Sequence, residues 1–394
     1  MINIIDKSQC CGCTACASIC VHDAISMVPD VLGFKYPVVN KSKCVDCGLC
    51  DKVCSFNDHY DISDRESLPQ AFAARHIDIK EVLKSRSGGA FVCISDYILS
   101  KGGYIYGAGY KGHFVVTHKR ASSAIERDEF RGSKYVQSDL DGIFSQIKQD
   151  LKNGDWVLFS GTGCQVAGLK SFIPQILREK LVMIDIVCHG VPSPYIWRDY
   201  IRYIEKKHNS VIKTVDFRNK HDFGWIAHKE TYTLENGKKL IKDNFTYLFY
   251  EEIMLRPSCK RCYFSNLNRP GDFTIADFWG YEKTDKQINS DNKGVSLLIC
   301  NTIKSFKIFS SIKSNLHIIP AMLENCIQPN LQKPTAFHKD YLRFPADYAK
   351  GGLIHVMKKY GNTSLSYKVK RKTKRIIAIP RNVLSRFIRV LKLR

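Results

Sequence analysis

Two cysteine runs with the same internal spacing lie close together near the start of this 394-residue chain. Both follow C-x2-C-x2-C-x3-C, the first with Cys10, Cys13, Cys16 and Cys20 and the second with Cys44, Cys47, Cys50 and Cys54. The adjacent Cys11 fits neither run. So many thiols at regular spacing in so short a segment indicate metal binding.

The repeated spacing is the signature of a bacterial-type ferredoxin domain with two 4Fe-4S clusters, which we predict over residues 1–60. In such runs three thiolates on a tight loop bind one cubane, and the fourth crosses to the other. We therefore predict one cluster at Cys10, Cys13, Cys16 and Cys54, and a second at Cys44, Cys47, Cys50 and Cys20. Zinc is disfavoured because a zinc site uses four ligands, typically in two pairs. The proline that usually follows the fourth cysteine is replaced by Val21 and Ser55.

Charge is distributed unevenly along the chain. The formal net charge is +22, and the segment 366–394 holds 11 Lys and Arg without any acidic residue. We predict a helical, basic C-terminal extension over 331–394, whose charge could meet an anionic membrane surface or an acidic partner. A solvated C-terminal helix is the alternative reading. Its apolar residues recur on one face, which disfavours specific nucleic-acid binding. With no secretory signal read at the N-terminus, we expect a cytoplasmic protein, peripheral at most at the inner membrane face.

The region 68–330 alternates strand-like and helix-like segments and predicts a mixed α/β domain, so the expected fold class is a multidomain α+β and α/β chain. "WVLFSG" and "LVMIDIVCHG" read as buried parallel strands, followed closely by Cys164 and Cys188. Ligands collect beyond the carboxyl ends of such strands. With the pair Cys259 and Cys262, these thiols could hold a third cluster. Plain burial, a dithiol switch and half of a zinc site stay open as alternatives. Buried core positions are predicted for the remaining thiols, Cys93, Cys300 and Cys326.

Two further stretches could bind a flavin, which is the usual adapter between one-electron clusters and two-electron chemistry. "SRSGGAF" places Ser87, Gly88 and Gly89 at a helix start, where free N–H groups can hold phosphate. "FRGSKYVQSD" offers basic and aromatic side chains between small residues. Simple helix capping and an ordinary solvated loop are the alternative readings of the two stretches.

Seven blocks, in order behind the cysteine runs, resemble the coenzyme F-420 hydrogenase/dehydrogenase beta-subunit family. They are "RSGGAF", "GGYIYGAGY", "RGSKYVQSD", "VLFSGTGCQVAGLK", "IVCHGVPSP", "RPSCKRCYF" and "FTIADFWG", and the resemblance covers roughly residues 1 to 300. It implies an iron–sulfur flavoprotein that moves electrons between clusters, FAD and an organic substrate or deazaflavin. It also implies a third cluster at Cys164, Cys188, Cys259 and Cys262. The family commonly has proline where Gly163 stands here.

Carried over block by block, the resemblance implies flavin contacts at Ser87, Gly88, Gly89, Arg131, Gly132, Ser133, Lys134, Tyr135, Gln137 and Ser138. The leading hypothesis is therefore an oxidoreductase that takes electrons from a redox donor protein through 4Fe-4S clusters to FAD and a small organic substrate. Lys134 and His189 are the candidate proton donors. The alternative is a non-catalytic electron-transfer subunit that docks a larger redox complex through its basic surface.

Overall fold

The computed structural model of the chain describes residues 1–57, 69–363 and Tyr367. The polar stretch 55–69 has the composition of a linker, and residues 58–68 of it lie outside the described residues. Nearly all of the basic segment 366–394 also lies outside them. Within the described ranges no helix is both long and apolar enough to cross a membrane.

Thirteen strands lie within the described residues. They are β1 (Ile25–Pro29), β2 (Lys35–Val39), β3 (Gln70–His76), β4 (Tyr104–Lys111), β5 (Val115–Ala121), β6 (Val157–Thr162), β7 (Leu181–Ile186), β8 (Ile212–Asp216), β9 (Glu230–Leu234), β10 (Lys239–Lys242), β11 (Phe273–Asp277), β12 (Ser296–Cys300) and β13 (Leu316–Ala321).

Helices connect and cover these strands. They are α1 (Ala15–Ile19), α2 (Leu49–Lys52), α3 (Ile79–Lys84), α4 (Ala90–Ser100), α5 (Ala124–Arg127), α6 (Ile143–Lys152), α7 (Gly163–Phe172), α8 (Pro194–His208), α9 (Lys220–Phe223), α10 (Asn244–Tyr250), α11 (Ile303–Ile312), α12 (Leu323–Cys326) and α13 (Phe344–Tyr360). The last of them is kinked at Gly352, whose φ is +64°.

An eight-stranded mixed sheet forms the centre, in the order β13-β3-β12-β11-β7-β6-β4-β5. The four central strands β11, β7, β6 and β4 are parallel to one another. The strands on either side of them, β5 at one end and β12, β3 and β13 at the other, pair antiparallel. The inner strands β6 and β7 are almost wholly buried, as continuous apolar strands covered on both faces should be. The mixed α/β part of the predicted fold class is thus confirmed.

The cysteine-rich N-terminal region packs against this sheet layer. Between its two cysteine runs, β1 and β2 form an antiparallel hairpin. Ser193, which caps α8, donates a hydrogen bond of 2.6 Å to the carbonyl of Leu32. On α7, a Cβ at Gly168 would lie 2.6 Å from Sγ of Cys13, so glycine is needed for this close approach. The first cysteine run therefore lies directly against the helix that follows β6.

A small three-stranded antiparallel sheet, in the order β10-β9-β8, was not predicted. It packs with α8 and α10 around a core that includes Trp197, Tyr232 and Phe245, all at most 2% exposed. Its strands are only four or five residues long. Runs this short carry little periodic signal, because helical and strand-like patterns differ clearly only over longer windows.

Candidate functional site

The twelve cysteines predicted as ligands line three separate small cavities, four at each. The first is lined by Cys10, Cys13, Cys16 and Cys54. The second is lined by Cys20, Cys44, Cys47 and Cys50. The third is lined by Cys164, Cys188, Cys259 and Cys262. The structure therefore brings the thiols together in the groups expected from spacing and from the family resemblance, including the crossed positions of Cys20 and Cys54.

The two N-terminal loops share an unusual backbone that explains this arrangement. Gly12 (φ +72°) and Asp46 (φ +50°) precede the second cysteine of their runs, and Thr14 (φ +67°) and Gly48 (φ +73°) follow it. Left-handed residues turn the chain sharply, so that the thiols of one loop face the same side. Short helices then carry the third cysteine of each run. The fourth cysteine, just beyond that helix, lines the other run's cavity.

The third cavity is assembled from distant parts of the chain. Cys164 is the second residue of α7, behind a capping box formed by Thr162 and Gln165, and its Sγ lies 3.2 Å from Oγ1 of Thr162. Cys188 follows β7, which is parallel to β6, so both thiols lie at the same rim of the sheet. A short turn over 257–261 supplies Cys259, whose Sγ accepts a hydrogen bond of 3.4 Å from the backbone of Val191.

The protonation of these thiols differs within the third cavity. Burial raises the pKa of Cys188 to about 12 and also raises the pKa values of Cys259 and Cys262. Hydrogen bonds from Cys11 and Thr162 lower the pKa of Cys164 to about 7. Buried thiols become thiolates at neutral pH when a metal replaces the proton. The three thiols with raised pKa values would therefore become thiolates at neutral pH only on binding a metal.

Cys11, the thiol left over from the sequence pattern, lies between two cavities. It is 4% exposed and lines both the first and the third cavity. Its thiol is within hydrogen-bonding reach of Cys13 and of Cys164, and the bond with Cys13 is the main cause that raises its pKa. Cys11 is thus the point at which the two cavities adjoin.

Within the described residues, no three His, Cys, Asp or Glu side chains converge closely enough to bind one metal ion. A 4Fe-4S cluster places a different demand on its ligands, because four thiolates surround the cubane. Such ligands line a cavity instead of meeting at a point. The three cysteine-lined cavities have the donor set for clusters of this kind.

A cavity of about 440 Å³ opens at the carboxyl ends of β6, β7 and β11. Thr162, Ile186 and Asp277 are the last residues of these three strands, and Cys188 lines both this cavity and the third cysteine cavity. The predicted flavin contacts in its wall are Ser87, Gly89, Arg131, Gly132, Ser133, Lys134, Tyr135 and Ser138. We refer to it as the cofactor cavity.

Two predicted flavin contacts do not line the cofactor cavity. A Cβ on Gly88 would lie 2.2 Å from the carbonyl oxygen of Ala74, so this glycine serves backbone packing beneath the loop. Gln137 turns away, donates to the carbonyl of Cys11 at 2.9 Å and accepts from Arg256 at 2.9 Å. It therefore contacts the junction between the first and third cysteine cavities.

The cofactor cavity has positive groups on two sides. Lys134 donates to the carbonyls of Glu129 and Arg131, and burial lowers its pKa to about 8. Across the sheet, Arg86 and Arg218 share Asp277, which lies 3.7 Å from Nε of Arg86 and in direct contact with Nη1 of Arg218. The surplus of cations suits an anionic group such as a diphosphate.

Both candidate proton donors, Lys134 and His189, line this cavity, and His189 also lines the third cysteine cavity. Burial lowers the pKa of His189, whose Nε2 lies 3.3 Å from Glu252. Sequence reasoning missed a second histidine on the wall, His228. Its Nδ1 lies 2.8 Å from the hydroxyl of Tyr250, and its ring stacks on Trp279. No motif surrounds His228, so only the three-dimensional arrangement identifies it.

Comparison with known proteins gives one family match. Residues 154–323 match the family model for the C-terminal part of the beta subunit of coenzyme F420 hydrogenase/dehydrogenase. The match supports the resemblance over this range, which contains the third cysteine cavity and much of the cofactor cavity. It does not reach the two N-terminal cysteine runs, for which a ferredoxin domain stays a prediction.

A comparison with curated proteins found no significant match. Among solved structures, a chain of the F420-reducing NiFe hydrogenase complex from Methanosarcina barkeri is similar with a TM-score of 0.44 and 17% sequence identity. The aligned region covers 75% of this chain and 91% of that chain.

Proposed function

We propose that this protein is an iron–sulfur flavoprotein oxidoreductase. It takes single electrons at the second cysteine cavity and passes them through the first and third cavities to FAD, which reduces a small organic substrate or a deazaflavin. The observation that carries the proposal is the grouping of twelve cysteines at three cavities, the last of which adjoins the cofactor cavity through Cys188. The family match over 154–323 supports it.

Residues shared between neighbouring cavities support the order of the sites along this path. Helix α1 carries Cys16 of the first cavity and ends next to Cys20 of the second. Cys11 joins the first cavity to the third, and Cys188 joins the third to the cofactor cavity. Each cysteine-lined cavity would hold a cluster that exchanges one electron at a time, and a flavin supplies the conversion to two-electron chemistry.

The protein's own side chains would bind and orient the flavin. The segment Arg131–Ser138 and the helix start at Gly89 contribute N–H groups and positive charge for its phosphates. Arg131 is held in place by ion pairs with Glu81 and Asp128, which fixes the loop that carries Lys134. A fixed loop keeps the cationic groups in position before the cofactor binds.

Substrate would bind at the side of the cavity near β11, where His228, Tyr250 and Trp279 form an aromatic wall. Burial is the main cause that lowers the pKa of His228 to about 4, and Arg218 adds to it, so His228 is neutral at pH 7. A neutral imidazole next to the Tyr250 hydroxyl can pass a proton. His189, on the side of the third cysteine cavity, is the second candidate.

Rapid-mixing reduction of anaerobic protein tests the proposal. A one-electron chemical donor should first bleach cluster absorbance, and flavin absorbance should decay afterwards. In Cys164→Ser protein the N-terminal clusters should still be reduced, while flavin reduction slows on the order of 100-fold. Flavin that is reduced equally fast in this variant would contradict the proposed path. A control at Cys93, which is 2% exposed and lines none of the four described cavities, should behave like the wild type.

A further inference from the structure

The guanidinium of Arg256 lies at the junction of the first and third cysteine cavities. The residue is 1% exposed and lines the third cavity. Its Nη2 lies 3.5 Å from Sγ of Cys10, a residue that lines the first cavity. A Cβ on Gly12 would lie 2.8 Å from Nη1 of Arg256, so the first cysteine loop passes directly over the guanidinium.

The charge of Arg256 has no carboxylate partner among the described residues. Its hydrogen bonds go to the carbonyls of Cys10 at 2.7 Å and Lys35 at 2.8 Å, and to the side-chain oxygen of Gln137 at 2.9 Å. Its planar group also lies over the ring of Tyr36, 4.4 Å from the centroid. None of these partners carries a negative charge. An isolated buried charge is costly unless an opposite charge compensates it.

Thiolate-bound clusters would supply that opposite charge. A cubane held by four thiolates is an anion, and a hydrogen bond or a cation next to its sulfur atoms stabilises the reduced form, which carries one more negative charge. At the second cavity the backbone N–H groups of Ile2 and Ala24 donate to Sγ of Cys50 and Cys20, and the N-terminal amine of Met1 is paired with Asp46. Its lining contains no buried guanidinium, and no Arg or Lys side chain. Arg256 therefore distinguishes the first and third cavities, which it contacts, from the second cavity.

We propose that Arg256 sets the reduction potentials of the clusters at the first and third cavities and draws electrons inward from the second. This inference rests on the proposed function, because it requires clusters in these cavities. Arg256 is a positioning residue: it acts on the clusters through charge and hydrogen bonds. Gln137 holds it in place, because this amide joins the guanidinium to the carbonyl of Cys11.

The test is a redox titration of anaerobic protein, followed by electron paramagnetic resonance, with variants that remove or cancel the charge. In Arg256→Met protein, two of three cluster signals should become harder to reduce. At a fixed applied potential their ratio of reduced to oxidised cluster should fall at least tenfold, which is 59 mV for a one-electron couple. For the cluster at the second cavity, the same ratio should stay within twofold of the wild-type value. Arg256→Lys protein, which keeps the charge, should show the smaller shift.

A matched pair at Gln137 keeps the test decisive if Arg256→Met protein does not fold. Gln137→Glu places a carboxylate against Arg256 and should reproduce the tenfold fall. Gln137→Met removes both side-chain hydrogen bonds of Gln137 without adding a charge, and it should change the ratio of reduced to oxidised cluster less than threefold. Lys7→Met, which removes a half-exposed cation paired with Asp30, serves as a control for charge in general.

Unchanged potentials in Gln137→Glu protein that contains its full iron would overturn the role of Arg256 and leave the proposed function standing. Wild-type protein without any cluster signal would instead overturn the proposed function, and this inference with it. Equal shifts in all three signals would also overturn the inference, because they would show a general effect of net charge.

Discussion

The second and third cysteine cavities use the same four-thiol donor set in opposite surroundings. At the second cavity Cys47 is exposed, and Val21 and Val45 on its wall are 81% and 60% exposed. At the third cavity none of the four cysteines is exposed, and burial raises the pKa values of Cys188 and Cys259. Under the proposed function, the exposed site would exchange electrons with a partner and the buried site would deliver them to the cofactor cavity.

The contribution of the inner region to stability can be tested at Asp185, which is fully buried behind the third cavity. It accepts from Nε and Nη2 of Arg269 at 2.8 and 2.6 Å and from the backbone of Gly271 at 2.9 Å. Asp185→Asn leaves the Arg269 charge without its partner, so the free energy of unfolding should fall by about 3–5 kcal/mol. Denaturant unfolding of anaerobic protein measures it.

The matched control for that prediction is Lys239→Met, which breaks an exposed ion pair with Asp222. Its effect should stay below about 1 kcal/mol, because water screens exposed charges. Equal losses in the two variants would show that the inner region is no more tightly held than the surface.

Loss of one inner ligand should separate the two regions chemically. Cys188→Ser should lower the iron content by about four atoms of about twelve and slow flavin reduction on the order of 100-fold, while the N-terminal clusters keep their signals. Iron analysis and rapid mixing measure the two effects. Cys326→Ser is the control, since its hydroxyl can keep the bond that Sγ of Cys326 makes to the carbonyl of Met322 at 3.3 Å. Full iron in Cys188→Ser protein would refute this ligand.

Flavin affinity should depend on pH through Lys134. Because burial lowers its pKa to about 8, its positive charge is present below pH 8 and is lost as the pH rises further. We expect FAD binding to flavin-free protein to weaken by about tenfold between pH 7 and pH 9, since one charge contact to phosphate is worth on the order of 1.4 kcal/mol. Fluorescence titration measures the affinity.

Lys134→Met should bind FAD weakly at both pH values and remove this pH dependence. Lys180→Met, which changes an exposed lysine bonded to the carbonyl of Gly154, should keep it. If Lys134→Met protein retains the full pH dependence, another group is responsible.

The smallest effect is expected at the outer surface. Val45→Glu places a charge on the exposed apolar rim of the second cavity and should slow reduction by a reduced two-cluster ferredoxin, used as a probe, by about threefold. Iron and flavin content should not change. Ile125→Glu, at a site that is 89% exposed on α5, is the control. Similar slowing in both variants would contradict a docking surface at this rim.

Local spacing made the N-terminal cysteines predictable. Their ligand groups lie within 45 residues, and two loops with the same pattern of positive φ place them. The continuous apolar runs of β6 and β7 were equally predictable as buried strands. The positions of Cys164 and Cys188 just beyond these strands placed both thiols at the same rim of the sheet. Cys93, Cys300 and Cys326 are buried, as predicted.

What sequence reasoning could not reach depends on contacts between distant residues. Arg256 meets Cys10 across 246 positions and Gln137 across 119, and no local pattern marks such a pair. The family resemblance assigns Gln137 to the flavin with the rest of the loop Arg131–Ser138, whereas its side chain contacts Cys11 and Arg256. Cys11 looked like a spare thiol for the same reason, since its role as a junction exists only after Cys164 is folded against it.

The most direct measurement is the amount of iron, acid-labile sulfide and flavin per chain in protein purified without oxygen. Three clusters and one flavin predict about twelve irons, about twelve sulfides and one FAD. About eight irons would show that the third cysteine cavity holds no cluster. Colourless protein without sulfide or flavin absorbance would contradict the central claim that these cysteines and the cofactor cavity form a path for electrons.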